Sequence, residues 1–126
     1  MANTFKAYTK SSVGTTTATA YEVELGSAST KTAIVIGIAL SNIASSPINV
    51  DVQIDRPAAG TTAAPSDDVY LAKNIPIPSG STLEIMAGQK LILEYNASAT
   101  AGDKIVVTSD TASSLDVIVN ALEITS

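Results

Sequence analysis

Twelve carboxylates, with no histidine and no cysteine, set the chemistry open to this 126-residue sequence. Without either residue there is no Ser-His-Asp or Cys-His catalysis and no usual zinc ligand set. The serines fall in neither G-x-S-x-G nor S-x-x-K, so none has a base to activate it. Paired acids remain. Asp51 and Asp55 share one face of a strand with Gln53 between them. Asp67 and Asp68 are adjacent in a loop, and Asp103 and Asp110 flank another strand. Two carboxylates about 5 to 9 Å apart can hydrolyse a glycosidic bond, or hold Ca²⁺ together with carbonyl oxygens. Glycoside chemistry needs a large cleft, and no D-x-D-x-D-G loop is present. The pattern therefore reads as solvated strand and turn acids, with a cation site as the alternative. No catalytic, cofactor-binding or metal residue is assigned, and no cofactor is expected.

The cations point away from nucleic acid. Lys6, Lys10, Lys31, Arg56, Lys73, Lys90 and Lys104 are dispersed along the chain, and the net charge is −5. A phosphate backbone or an anionic membrane is recognised by clustered positive charge, with aromatic residues interleaved where bases stack. Met1 to Lys10 lacks the apolar core of a secretory signal. The longest apolar run, Ala33 to Leu40, is far short of a bilayer span. Phe5 and the four tyrosines, Tyr8, Tyr21, Tyr70 and Tyr95, read as core or interface anchors, with a sugar-binding face as the alternative. Charged residues make up only 15% of the chain, against about 25% in typical domains. Ser, Thr and Ala take their place, which suits a surface partly covered in an assembly.

The elements that would position these residues are short strands. Residues 48 to 55 alternate without a slip: Ile48, Val50, Val52 and Ile54 on one side, Asn49, Asp51, Gln53 and Asp55 on the other. That period of two marks a strand with one dry face. Residues 33 to 40, within the run 31–42, are apolar on both faces, as in a strand covered on both sides. The turn-forming link 42–47 between these runs predicts a hairpin. Further strands are expected near 4–11, 15–25, 68–75, 82–86, 90–95, 103–109 and 115–125. This spacing predicts a single all-β domain over 1–126, an antiparallel β-sandwich of jelly-roll or Ig-like type with eight or nine strands, and an N-terminal arm at 1–12. Ile34, Ile36, Ile38, Leu40, Val50, Val52, Ile105, Val107, Val117 and Val119 are the expected core. The proline-bracketed segment 56–67 is a long loop of small residues, the kind that makes contacts.

Several stretches carry a family resemblance: M-A-N-T-F-K-A-Y-T-K-S-S-V-G-T at 1–15, A-I-V-I-G-I-A-L-S-N at 33–42, I-N-V-D-V at 48–52, P-I-P-S-G-S-T-L-E-I at 76–85, A-G-D-K-I-V-V-T-S-D at 101–110 and D-V-I-V-N-A-L-E-I-T at 116–125. Together they resemble small virion structural proteins of tailed phages of cyanobacteria and other aquatic bacteria. The resemblance implies a non-enzymatic virion component, assembled in the host cytoplasm in multiple copies. A capsid decoration or cement protein bound to the major capsid protein is the first expectation. A neck, tail or fibre protein, or a carbohydrate- or receptor-binding module, is the alternative. Self-association, as a trimer, is expected through Ala33, Val35 and Ala39 on the second face of the doubly apolar strand. Arg56, Pro57, Thr61, Thr62 and Pro65 of the long loop, with Phe5 and Tyr8 of the N-terminal arm, complete the expected interface.

Overall fold

A computed structural model describes residues 2–24, 30–56, 68–86, 90–96 and 102–125. Among them are nine strands and no helix: β1 (Ala2–Val13), β2 (Ala18–Glu22), β3 (Thr30–Asn42), β4 (Ile48–Asp55), β5 (Val69–Ile77), β6 (Thr82–Glu84), β7 (Leu91–Asn96), β8 (Lys104–Ser109) and β9 (Leu115–Thr125). They form two antiparallel sheets. Sheet A runs β1-β9-β3-β6, and β7 also pairs with β3. Sheet B runs β2-β8-β4-β5. β6 and β7 follow one another along the same edge of β3, against 39–41 and 30–35 respectively. They act as one interrupted strand. Counted that way, each sheet has four strands, and the chain passes from one sheet to the other at every connection except β4–β5 and β6–β7. This is the jelly-roll arrangement of two packed four-stranded sheets, so the sandwich is resolved in favour of the jelly roll over the Ig-like order.

The core lies between the sheets. From sheet B come Ile48, Val50, Val52, Ile54, Ile105 and Val107. From sheet A come Ala33, Val35, Ile38, Leu40, Leu115, Val117, Val119 and Ala121. Period-two alternation puts each set on one side of its strand. Eight of the ten expected core residues are buried.

Ile34 and Ile36 depart from expectation. The register of β3 against β9 shifts between Val35 and Gly37. This bulge inserts one residue and reverses the alternation. Before it, Ala33 and Val35 face inward; after it, Ile38 and Leu40 do. Ile34 is left half-buried on the outer side, and Ile36 is 44% exposed there.

The expected β3–β4 hairpin is also corrected. The two strands lie in different sheets, and the link 43–47 crosses between them. Asn42, 2% exposed, fixes that crossing. Its Nδ2 donates to the carbonyls of Ser46 and Ile77, both at 2.9 Å, and its Oδ1 accepts from the Ala44 amide at 2.8 Å. The consecutive strands that do pair within one sheet are β4 and β5. Residues 2–12 are likewise no arm: they form most of β1, paired along its length with β9.

Candidate functional site

Sequence reasoning did not single out Glu123, yet it collects polar side chains from three other strands. It lies on the inner side of β9 in phase with Val117, Val119 and Ala121, and is 3% exposed. Tyr21 of β2 donates its hydroxyl to Glu123 Oε2 at 2.6 Å, and Tyr8 of β1 donates to the same oxygen at 3.0 Å. Lys31 Nζ of β3 and Lys6 Nζ of β1 approach Oε1 at 3.5 and 3.6 Å. The two tyrosine rings meet edge to face, 4.6 Å between centroids.

Burial by itself would raise the Glu123 carboxyl. The hydroxyls of Tyr21 and Tyr8 and the charges of Lys31 and Lys6 outweigh it and hold the group below the ordinary glutamate value. Burial, then the hydrogen bond to Glu123, pushes the Tyr8 hydroxyl up to about 12 and raises Tyr21 further. A carboxylate this well satisfied is a weak base, and the tyrosines beside it are weak acids. The cluster is built to stay as it is, not to move protons. It also occupies the hydroxyls of two of the tyrosines considered for sugar binding.

Among the described residues most of the candidate acids have structural partners; Asp55 is the exception, with a buried Oδ1 that accepts no hydrogen bond, and Asp67 lies outside the described residues. Asp51 accepts from Lys73 Nζ at 3.2 Å and from the Asn74 amide at 2.8 Å. Four residues along a strand place Asp51 and Asp55 roughly 13 Å apart, beyond the reach of paired glycoside chemistry at about 5 to 9.5 Å. Burial, then the nearby Asp68 charge, raises the Asp55 carboxyl. Asp68 accepts from the Arg56 amide at 3.0 Å. Asp110 accepts from Asn49 and Thr111 at the far end of β8 from buried Asp103. Among the described residues no group of three or more Asp, Glu, His or Cys is placed to hold a metal ion.

The expected interface residues scatter. Ala33 and Val35 are fully buried in the chain's own core, because the bulge turns them inward, so they cannot meet a partner. Tyr8 is engaged with Glu123. Arg56 pairs with Glu94 at 3.6 Å and with Asp103 at 3.4 Å. Pro57, Thr61, Thr62 and Pro65 lie outside the described residues. Ala39 is half-buried on the outer side of sheet A, opposite Ile118. Phe5 is 74% exposed on that same side.

The outer side of sheet A holds what sequence reasoning missed. Cross-strand register aligns Phe5 (β1), Leu122 (β9), Ile34 (β3) and Ile92 (β7) in one row across four strands. Ile36 and Ile118 lie on the same face. Phe5, Ile36, Ile92 and Ile118 are 74, 44, 55 and 44% exposed. Beside Phe5 is a hollow of about 330 Å³ lined by Phe5, Lys6, Ala7, Ile36, Asn120 and Ala121. The sequence did contain a signal for this face. A lone glycine inside an apolar strand, Gly37, marks a bulge, and a bulge there reassigns every isoleucine before it.

No protein-family model and no curated protein matches the chain. Solved structures do. A chain from infectious bursal disease virus, Gx strain, superposes with TM-score 0.54 at 12% identity, over 98% of this chain and 32% of that one. The VP2 protein of that virus in derived particles gives 0.53 at 12% identity, over 98% and 32%. The Drosophila NLP core, described with its pentamer formation and histone binding, gives 0.53 at 13% identity, over 98% of each chain. This chain thus spans about a third of the viral chains it matches. At these identities the likeness is one of fold, and it agrees with the sandwich derived above.

Proposed function

We propose that this chain is a non-enzymatic building block of a tailed-phage virion, and within it a decoration or cement protein on the capsid exterior. The carrying observation is the sheet order, β1-β9-β3-β6/β7 over β2-β8-β4-β5. It is the two-sheet jelly roll used by viral capsid domains, and the viral particles named above contain chains of similar fold. The resemblance of segments 1–15, 33–42, 101–110 and 116–125 to small phage virion proteins supports the same reading. So does the employment of Asp51, Asp68, Asp103 and Asp110 in structural contacts.

In this role the chain assembles in several copies, three on the expectation from the sequence, and docks on the major capsid protein. The virion is its location after assembly in the host cytoplasm. A place in the neck or tail is the alternative. Quantitative mass spectrometry of purified particles separates these positions. Hundreds of copies per particle support the capsid surface, and a dozen or fewer place the protein at the neck or tail. Absence from washed particles refutes the virion reading altogether.

A further inference from the structure

We infer that the outer face of sheet A is the surface through which copies of this chain meet, with Phe5 at its centre. The inference stands apart from the virion reading, since it rests on the face alone. Exposed large apolar residues scattered singly need no explanation, but a contiguous patch does. Here the row Phe5–Leu122–Ile34–Ile92 crosses four strands, with Ile36 and Ile118 beside it.

Three features point to a second copy as the occupant. First, the face carries both halves of a fit. Phe5 is the most exposed large apolar side chain among the described residues, and the hollow of about 330 Å³ opens at its foot. An apolar cavity of about 150 Å³ already accepts a benzene ring, so the hollow has room for the phenyl ring of another copy. A knob and its hole on one surface is the pattern of self-association in a closed assembly.

Second, two such faces can meet without opposing like charges. On the outward positions of β1, β3 and β9 the one charged residue is Asp116, which accepts from the Ser12 amide at 2.9 Å. Lys6 borders the hollow, but its Nζ turns inward to Glu123 at 3.6 Å. Glu94 of β7 is paired with Arg56 at 3.6 Å. Glu84 of β6 is exposed at the edge of the face. The middle of the face is therefore neutral, and a second copy can cover it without burying an unpaired charge there, despite a net charge of −5 each.

Third, the area is adequate for a weak contact. Four strands at ~4.8 Å and six residues at ~3.4 Å give a footprint of roughly 20 by 20 Å, or about 800 Å² for two copies. That falls at the low end of specific interfaces, where association is reversible.

Sedimentation equilibrium of the purified chain from about 5 to 500 µM tests the inference. The average mass should climb above the 12.8 kDa monomer with concentration. Phe5→Asp and Ile118→Lys should each weaken association at least tenfold. Both positions are exposed, so circular dichroism and melting temperature should stay at wild-type values, which separates loss of contact from loss of fold. Phe5→Ala serves the same purpose if either charged variant misfolds. A wild-type chain that is monomeric throughout overturns the inference. So does an oligomer that persists unchanged in Phe5→Asp and Ile118→Lys. Neither result bears on whether the protein is found in particles.

Discussion

Removing one hydroxyl, by Tyr21→Phe, tests how the interior holds its one described carboxylate cluster on the inner face of β9. The Tyr21 hydroxyl donates at 2.6 Å to Glu123, a residue 3% exposed. A hydrogen bond to a charged group contributes about 1.5 to 3 kcal/mol. Glu123 keeps Tyr8, Lys31 and Lys6 in the variant, so we expect a loss in the middle of that range, about 2 kcal/mol at pH 7. In a domain of this size that lowers the melting temperature by roughly 6 to 8 °C. The pH dependence follows from the carboxyl. Its folded value lies below the ordinary 4.5. The stability it adds is thus fully present above pH 4.5, and is lost as pH falls through the lower, folded value. Once Glu123 is protonated, the Tyr21 bond is an ordinary neutral one, worth about 1 kcal/mol. Thermal melts of wild type and variant at pH 7, at pH 5 and in steps below 4.5 should show a gap that is constant from 7 to 5 and falls toward half as pH passes below the folded value. A gap absent at pH 7, or equal at every pH, would refute the reasoning.

Three other outcomes follow from the same structure. Tyr8 and Tyr21 are held neutral well above the ordinary 10.0, Tyr8 to about 12. Their contribution is complete below pH 10 and lost as pH rises toward the folded values. An ultraviolet titration should therefore show two of the four tyrosines ionising only as the fold melts. Asn42→Ala strands the Ser46 and Ile77 carbonyls and the Ala44 amide. At about 1 kcal/mol or more for each group left unsatisfied, urea unfolding should show a loss of about 3 kcal/mol. Gly102→Ala places a methyl group on the carbonyl oxygen of Val23, a residue whose backbone is held by the hydrogen bond its N–H donates to the Asp103 carbonyl. It should yield little soluble protein, while Gly80→Ala, with open space around it and φ of 71°, should cost only about 1 kcal/mol.

Strand number and most strand positions were legible because period-two alternation is local. Ile48 to Asp55 needs no other part of the chain to be read as a strand with one dry face. Pairing was not legible in the same way. Residues 31–42 and 48–55, both rich in isoleucine and valine and joined by a short link, fit a hairpin and a crossing between sheets equally well. What decides is Asn42, whose partners Ser46 and Ile77 lie 4 and 35 residues away. The doubly apolar reading of 33–40 was correct in composition. It was wrong in phase on the N-terminal side of the bulge, because alternation carries no mark of a bulge beyond Gly37. That error put Ala33 and Val35 on the interface and Ile34 and Ile36 in the core, the reverse of their places. Glu123 was hidden for the opposite reason. A charge in phase with Val117, Val119 and Ala121 looks like the wet end of a strand until Tyr8, Tyr21, Lys31 and Lys6 converge on it from far away in sequence.

The buried cluster and the exposed face are coupled through β1. On this strand the even residues Lys6 and Tyr8 reach Glu123, while the odd residues Phe5 and Ala7 stand outward. The two sets cannot be placed independently, since a slip of one residue exchanges the faces of a whole strand. β1 is an edge strand, held by one neighbour, and much of its length is Thr, Ser, Ala and Lys. Backbone bonds to β9 would form about as well after such a slip. The slipped strand would turn Phe5 toward the carboxylate and carry the Tyr8 hydroxyl away from it. Buried ion pairs add little net stability against apolar replacements, and their best-attested use is to fix register. Here register is what the surface needs. The unbroken pairing from Ala2↔Thr125 to Lys10↔Val117 holds Phe5 opposite Leu122, at the end of the row that continues through Ile34 to Ile92. The polar contacts inside the sandwich thereby determine which residues its outer face presents.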